Sequence, residues 1–167
     1  METRRLLLRG YQRHDLKGFC QLVQDPEVVR FQPYDVLEDR EAKKELRGRM
    51  RSPSYVAVIL KEENRLIGSL YLQENTYRVL ELGFLFCRED WGKGYAAEAC
   101  QAVIDDAFSQ GVHRVWARCD PDNLRSRRLL ERLGFTLEGT LRSDHWFRMD
   151  EAGKPIWRDT CIYGKTP

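Results

Sequence analysis

The spacing of apolar residues divides the first half of the chain into helix-like and strand-like segments. Apolar positions at helical spacing after Asp15 predict a helix that Pro26 interrupts. The polar stretch Glu38–Arg51 has apolar residues four apart and predicts an exposed helix. Short turns between the later β-type runs predict an antiparallel meander. The predicted strands of this half are Leu6–Leu8, Tyr55–Leu60, Leu66–Leu72 and Tyr77–Phe86.

After the meander, helix-like and strand-like patterns alternate. A helix opens at Trp91–Ala96 and stops at Gly111, and a strand follows over Val112–Cys119. Asn123 is placed to start a second amphipathic helix, which ends at Gly134. The chain closes with a predicted hairpin of two strands, Thr136–Phe147 and Ile156–Tyr163. The pattern therefore predicts a mixed α/β (α+β) fold: a meander, a β-α-β-α unit and a C-terminal hairpin.

Size and composition limit what this fold can do. A length of 167 residues fits a single domain, 1–167. The 28 Lys and Arg against 26 Asp and Glu leave a net charge of +2, too small to indicate a nucleic-acid partner. The 5 cysteines form no C-x-x-C pair, which predicts reduced thiols in a cytoplasmic protein and no metal site. No apolar run is long enough to span a membrane, so no membrane partner is expected.

A glycine-rich turn between a strand and a helix is the first candidate for chemistry. Gly92 and Gly94 precede a helix whose first N–H groups lack internal partners, an arrangement that binds phosphate, although a plain tight turn also uses glycines. Walker A is excluded because glycine follows Lys93. The spacing to Ala97 fits the dinucleotide pattern G-x-G-x-x-A, but that pattern belongs to repeated βαβ units and Asp120 lies too late. A dinucleotide-binding oxidoreductase is one alternative.

A second motif follows one strand later. Asn123-x-x-Ser126 leads into Leu130–Phe135, and together with Trp91–Ala96, which reads W-G-K-G-Y-A, it resembles the GNAT N-acetyltransferase superfamily. The likeness is greatest to the RimJ/RimL branch, the ribosomal-protein N-terminal acetyltransferases and their relatives. The resemblance implies the GNAT fold, with a CoA slot between splayed strands, acetyl-CoA as donor and an amine as acceptor. Further segments that carry it are Arg5–Arg9 and Glu138–Arg142.

The resemblance also implies which residues bind the donor. The pyrophosphate would lie on the amides of the glycine-rich turn, and the pantetheine would pair with a strand end like an added strand. Asn123 would contact the pantetheine, although asparagine here is also a typical helix N-cap. Arg128 would approach a CoA phosphate, or it belongs to a solvated basic face. The implied donor-binding residues are Leu85, Phe86, Cys87, Gly92, Lys93, Gly94, Tyr95, Ala96, Asn123, Ser126 and Arg128.

The implied reaction is the attack of a neutral amine on a thioester, so the ammonium must first lose a proton. Glu81 is the candidate base because it falls on the opposite strand face from Leu80; an ion-paired strand residue is the plainer alternative. Many relatives place a tyrosine acid seven positions after the motif asparagine, where this chain has Leu130. Ser126 is the nearest hydroxyl and is the second catalytic candidate. A backbone N–H near Phe86 would stabilise the developing oxyanion.

The sequence gives the least information about the acceptor side. In this family the segments Phe31–Asp35 and His145–Phe147 would line it, and loop packing explains both segments as well. The expected protein is a monomeric or homodimeric N-acetyltransferase that acts by direct transfer in a ternary complex. Its acceptor would be a protein N-terminal amine or a small amine such as a polyamine or aminoglycoside. Leu130 in the tyrosine position supports a further alternative, a non-catalytic acyl-CoA-binding module.

Overall fold

A computed structural model describes residues Met1–Pro167. The strands are β1 Leu6–Arg9, β2 Tyr55–Leu60, β3 Arg65–Glu74, β4 Val79–Phe86, β5 Arg114–Cys119, β6 Thr136–His145 and β7 Arg158–Lys165. The α-helices are α1 Leu16–Val23, α2 Pro26–Val29, α3 Asp39–Arg49, α4 Tyr95–Ser109 and α5 Leu124–Arg132, with 3-10 turns at Arg13–Asp15 and Arg88–Asp90. None of these helices combines the length and the apolar character needed to cross a membrane.

All the strands belong to one 7-stranded sheet in the order β1-β2-β3-β4-β5-β7-β6. The first four strands form an antiparallel meander, and α4 then carries the chain over to β5, which pairs parallel with β4. Strand β7 lies antiparallel between β5 and β6. The predicted mixed α/β fold of the GNAT type is therefore confirmed. A dinucleotide fold of repeated βαβ units is wrong for this chain, because the only parallel pair is β4 and β5.

Strand β4 begins two residues later than the sequence pattern predicts. The Asn75 side chain accepts hydrogen bonds from the N–H groups of Tyr77 and Val79, at 2.9 and 3.2 Å. Arg78 adopts a left-handed φ of 60° in the same turn. Because an asparagine side chain that bonds the backbone ahead of it favours a turn over a strand, pairing starts only at Val79.

The closing hairpin also differs from its predicted limits. Its second strand begins at Arg158 rather than Ile156, because the N–H of Ile156 donates to the carbonyl of Arg148 within the connecting loop, at 2.9 Å. Near the N-terminus, Pro26 does more than interrupt a helix. It opens the short α2, and the Asp25 carboxylate caps that helix by accepting from the N–H of Glu27, at 2.9 Å.

The two faces of the sheet carry different helices. Helices α4 and α5 cover one face, and Leu80, Leu82 and Tyr163 from the strands are buried beneath them. Helices α1 and α3 lie over β2 and β3 on the other face, where Ala57 and Ile59 are buried. On this second face, the side chains of β4, β5 and β7 are mostly partly buried or exposed, with the buried Thr160 of β7 as an exception.

The sheet opens in its middle. Strands β4 and β5 pair only from Val79–Arg114 to Glu81–Trp116, although β4 continues to Phe86 and β5 to Cys119. Beyond the last pair the two strands diverge, and neither has a neighbour on the side that faces the other. This gap is the splay that the GNAT resemblance implies, and it fixes the position of the candidate site.

Candidate active site

The glycine-rich turn presents a row of free backbone donors at the start of α4. Gly92 and Gly94 have φ values of 77° and 81°, in the left-handed region that favours glycine. Gly94 is the N-cap of α4 and has no side chain to satisfy the first helical amides. No amide from Gly92 to Ala97 donates to an acceptor within the protein. Together with the positive end of the helix dipole, these amides fit the pyrophosphate of a CoA molecule.

The N-terminal segment holds this turn from outside. The Arg5 guanidinium donates to the carbonyl of Lys93 at 3.0 Å and to the carboxylate of Glu98 at 2.7 Å, and it lies 4.4 Å from the centre of the Tyr95 ring. The Thr3 hydroxyl also donates to Glu98, at 2.6 Å. Burial pushes the pKa of Glu98 upward, but the hydrogen bonds from Thr3 and Arg5 outweigh it and hold the pKa below its usual value.

A tryptophan joins the turn to both walls of the gap. The Trp91 indole N–H donates to the carbonyl of Phe86 at 2.9 Å, and the Arg125 guanidinium stacks on the Trp91 ring, 3.8 Å from its centre. Arg125 lies in the first turn of α5, so this contact links α5 to the start of α4. Arg128, the basic residue that the resemblance implies for phosphate binding, is exposed and makes no ion pair. Of the arginines on α5, Arg125 is the one in contact with the turn.

The unpaired edge of β4 forms one wall of the gap. The N–H of Cys87 donates to the carbonyl of Ile67 at 2.8 Å, so the backbone groups of Cys87 and, two residues earlier, of Leu85 point toward β3. Alternate residues of a strand direct their backbone groups to opposite sides. The backbone N–H and C=O groups of Phe84 and Phe86 therefore point into the gap. Phe86 was expected there from the resemblance, and Phe84 is added by the strand register. Burial raises the pKa of the Cys87 thiol to about 12.

Helix α5 forms the other wall with the second motif. The Asn123 side-chain oxygen accepts from the N–H of Ser126 at 3.2 Å, so Asn123 is the N-cap of α5, and its side-chain N–H groups have no partner in the protein. The Ser126 hydroxyl is partly buried and makes no hydrogen bond. Leu130, one turn further on, is fully buried in the core with Tyr163 and does not supply a polar group.

The candidate base lies where β4 and β5 separate. Glu81 is in the last paired position, on the face away from α4 and α5, and its side chain is 18% exposed. The Arg118 guanidinium donates to the Glu81 carboxylate at 3.1 Å and lies 5.5 Å from the centre of the Trp116 ring. Glu81 is thus both ion-paired, as the plainer alternative held, and placed at the apex of the gap. The side chains that share this face are Tyr71, Trp116 and Arg118.

The two segments expected on the acceptor side lie against each other. The Arg148 guanidinium, just after β6, donates to the Asp35 carboxylate at 2.9 Å and to the carbonyl of Arg30 at 3.0 Å. His145 ends β6 beside these contacts, and its ring centre is 4.6 Å from that of Phe147. The connection between α2 and α3 and the β6–β7 hairpin therefore form one rim over the open face of the sheet.

Comparison with known proteins agrees with this geometry. The sequence model for the acetyltransferase (GNAT) domain matches residues 5–136. The uncharacterized N-acetyltransferase YnaD of Bacillus subtilis is 32% identical over 143 residues, which cover 82% of each chain. A GNAT acetyltransferase structure from Bacillus anthracis superposes with a TM-score of 0.87 at 26% identity, covering 99% of this chain and 97% of the other.

A more distant structure shares the fold. The spermidine N-acetyltransferase of Vibrio cholerae, solved in complex with CoA and spermine, has a TM-score of 0.79 at 20% identity, over 98% of this chain and 96% of that one. The matched family covers both walls of the gap, the glycine-rich turn and the second motif. On this evidence the chain belongs to the GNAT acetyltransferase family and is an N-acetyltransferase.

Proposed function

We propose that the protein transfers an acetyl group from acetyl-CoA to a primary amine by direct attack in a ternary complex. The observation that carries the proposal is the junction of two features at one end of the sheet. The free amides of Gly92–Ala97 and the unpaired edge of β4 lie next to each other, joined by the hydrogen bond from Trp91 to Phe86. An extended ligand with a phosphorylated end matches both features.

The donor would be held mainly by backbone groups. The amides of the turn receive the pyrophosphate, and the N–H of Phe86, next to the turn, pairs with the peptide-like pantetheine arm. The free side-chain N–H groups of Asn123 face the same ligand from the opposite wall. Lys93 lies 3.4 Å from the buried Asp90 carboxylate, so its side chain is partly neutralised and the amides carry most of the phosphate binding.

The chemistry would take place at the apex of the gap. When bound, acetyl-CoA supplies the acetyl group as a reactive thioester. We assign Glu81 to accept a proton from the amine nitrogen, directly or through a water molecule, as the amine attacks. The N–H of Phe84, which faces the gap nearer the apex, is assigned to stabilise the charge that develops on the carbonyl oxygen. Ser126 is the proton donor to the leaving sulfur. A thiol with a pKa of about 8.5 leaves readily, so the absence of a tyrosine at Leu130 does not block the reaction.

The acceptor would enter from the open face of the sheet, under the rim of Phe31–Asp35 and His145–Phe147. Aromatic rings and carboxylates together suit a cationic amine, because both attract an ammonium group. A peptide N-terminus, as in the RimJ/RimL branch, and a small polyamine both meet this description. The Vibrio cholerae enzyme of the same fold, solved with spermine, supports the second of these.

Release of free thiol from acetyl-CoA tests the proposal directly. We expect release only when an amine is present, in a panel of N-terminal peptides, spermidine, spermine and aminoglycosides, with the acetylated product identified by mass. The alternative of a non-catalytic CoA-binding module predicts thermal stabilisation by CoA with no thiol release across the whole panel. Stabilisation by NAD(P) but not by CoA would overturn both ideas.

A further inference from the structure

A chain of hydrogen bonds on the C-terminal hairpin has no role in the function proposed above. The Thr160 hydroxyl on β7 donates to the Asp144 carboxylate at 2.8 Å, and the Nδ1 atom of His145 lies 2.9 Å from the same hydroxyl. Thr160 is buried, whereas the His145 side chain is 25% exposed. The three residues thus form a line that runs from an acidic group through a buried hydroxyl to an accessible imidazole.

The number of available protons fixes the state of the imidazole. A threonine hydroxyl has one hydrogen, and here it goes to Asp144, because an ionised carboxylate can only accept. Toward His145 the hydroxyl must therefore accept, which requires a proton on Nδ1. In a neutral imidazole with Nδ1 protonated, the Nε2 lone pair is free. The line from Asp144 through Thr160 consequently leaves His145 with an unprotonated nitrogen that faces outward.

The position of this nitrogen relative to the gap follows from the strand register. Cys119 pairs with Cys161, so Thr160 lies level with the end of β5, where β4 and β5 have already separated. Cys161 is buried on the face of α4 and α5, and alternation along the strand places Thr160 on the opposite face, which also carries Glu81. His145 therefore stands on the acceptor side of the gap, under the rim that Arg148 ties down.

His145 and Glu81 differ in what neutralises them. Glu81 has its charge balanced by the guanidinium of Arg118 at 3.1 Å. The Nε2 atom of His145 has no partner in the protein. An amine that arrives protonated thus meets one carboxylate already in an ion pair and one imidazole nitrogen ready to accept a proton.

We propose that the Nε2 atom of His145 deprotonates the incoming ammonium group, an inference that rests on the proposed function. The ammonium loses two protons in all. His145 takes the first before attack and passes it to solvent. The nitrogen then forms its bond to the acetyl carbon while the C–S bond breaks with its electron pair on sulfur. The second proton leaves the nitrogen for Glu81, which releases it to solvent, and the sulfur takes a proton from Ser126, which is reprotonated from solvent. Thr160 and Asp144 are positioning residues that keep the proton on Nδ1.

Charged groups of β6, β7 and the segment after β5 lie near the imidazole, beside the ring of Phe147. Asp144 on β6 lies 3.7 Å from Nδ1, and Arg158 is the cross-strand partner of His145 on β7. The Arg158 guanidinium donates to Asp120 and Asp122 after β5, so its charge is already shared. Burial pushes the pKa of Asp120 upward, but the hydrogen bonds from Arg158 and from the N–H of Asp122 outweigh it and hold that pKa below its usual value. Both signs of charge therefore lie around the imidazole.

The kinetic test uses His145→Asn, whose side-chain N–H can still donate to Thr160 but which has no basic nitrogen. An N-terminal amine with a pKa of about 8 is roughly one-tenth neutral at pH 7, so kcat/KM should fall about tenfold there. The deficit should disappear near pH 9.5 and with an acceptor amine of low pKa, and the dissociation constant for CoA should stay unchanged. His113→Asn, on an exposed histidine before β5, is the matched control.

A purely structural role for His145 would give a deficit that does not depend on pH or on the amine, and that result would overturn the proposal. Thr160→Val should reproduce part of the effect with the same pH dependence, because it removes the group that fixes the proton on Nδ1. If the wild type acetylates no amine at all, the proposed function fails, and the kinetic comparison is replaced by the following measurement.

Long-range 1H–15N NMR spectra report which ring nitrogen carries the proton in each neutral histidine, without any substrate. We expect the Nδ1–H form for His145, and its loss in Thr160→Val. The resonance is assigned with His145→Asn, and the exposed His14 and His113 are internal references. A neutral His145 with its proton on Nε2 would refute the inference even if the enzyme is active.

Discussion

The donor side and the acceptor side of the gap are built from different materials. The proposed donor side offers backbone groups: the free amides of Gly92–Ala97 and the open edge of β4. On the acceptor side, side chains face the gap, and ion pairs hold them, as between Glu81 and Arg118 and between Asp35 and Arg148. A backbone site tolerates changes of side chain, whereas a side-chain site changes its specificity with single substitutions. A fold that holds its donor by backbone groups and its acceptor by side chains can thus keep one donor while its acceptors vary.

The largest effect on donor binding is expected from a change in the backbone of the turn. In Gly94→Val, a side chain is forced into φ 81°, which costs about 1–2 kcal/mol, and its methyl groups crowd the free amides. The strained turn relaxes away from the conformation that presents its amides, and acetyl-CoA must restore that conformation on binding. At the upper figure the dissociation constant for acetyl-CoA should therefore rise about thirtyfold, as measured by calorimetry.

Gly153→Val is the matched control, because Gly153 has a φ of 73° in the β6–β7 connection, far along the chain from the turn. It pays a similar backbone cost, so its stability should fall comparably while its affinity for acetyl-CoA changes less than about twofold. Equal losses of affinity in the two variants would show that the turn has no special part in donor binding.

On the acceptor side, Glu81→Gln should lower kcat/KM for the amine about tenfold and leave acetyl-CoA binding unchanged. The substitution removes the carboxylate at the apex of the gap and leaves Arg118 without its counter-charge. Steady-state rates with the amine varied, together with calorimetry for the donor, separate the two effects. Glu62→Gln, in the exposed turn before β3, is the control. A rate equal to that of the wild type would remove Glu81 from the reaction.

The hydrogen bonds of Arg5 and Thr3 to Glu98, which we call the clamp on the turn, predict a smaller and pH-dependent effect on stability and CoA affinity. Glu98→Gln weakens the charged hydrogen bonds from Arg5 and Thr3 and should lower the free energy of unfolding by about 1–2 kcal/mol at pH 7, and the affinity for CoA about threefold. Because the pKa of Glu98 is lowered in the folded state, this stabilisation is present above the unfolded value of about 4.3 and is lost as the pH falls through the folded value.

Denaturant unfolding of the wild type and of Glu98→Gln from pH 7 to pH 3 measures this difference. The two curves should converge at the acid end. A gap that stays constant to pH 3 would mean that packing, not the ionised carboxylate, holds the N-terminal segment. Arg4→Ala, next to the clamp but exposed, should follow the wild type throughout.

The smallest expected effect concerns the bond between the turn and β4. Trp91→Phe removes the indole N–H that donates to Phe86, and it keeps an aromatic ring beneath Arg125. Loss of one partly buried hydrogen bond, about 0.5–1 kcal/mol, should weaken CoA binding about two- to fivefold. Trp157→Phe, at an indole that is 55% exposed, is the control and should bind CoA normally.

The helices and turns that form the proposed donor side could be predicted from the sequence because their signals are local. The glycines, the start of α4 and the second motif each fall within a few residues, and the strand-helix alternation places them together. Spacing cannot show which backbone groups of β4 face the gap, because this depends on which residue of β3 pairs with Cys87. The register shows that the backbone groups of Phe84 face the gap and those of Leu85 face β3.

The acceptor side was harder to predict because its contacts join residues that lie far apart in the chain. The ion pair of Glu81 and Arg118 spans 37 residues, and the contact of Arg148 with Asp35 spans 113. In neither pair does the local sequence around one residue indicate its partner. The line from Asp144 through Thr160 to His145 likewise depends on the pairing of β6 with β7, and a bulge in that pairing sets its geometry.

The short parallel ladder between β4 and β5 has a mechanical consequence. Along the sheet, strands β1–β4 and strands β5–β7 are joined only by the short pairing from Val79–Arg114 to Glu81–Trp116 and by the bond from the N–H of His113 to the carbonyl of Arg78 beside it. Because this pairing is so short, we expect the two parts of the sheet to exchange amide hydrogens as separate units. A ligand that contacts both Phe86 and Asn123 would link the two parts across the gap. Protection should therefore rise together in β4 and β5 when such a ligand binds.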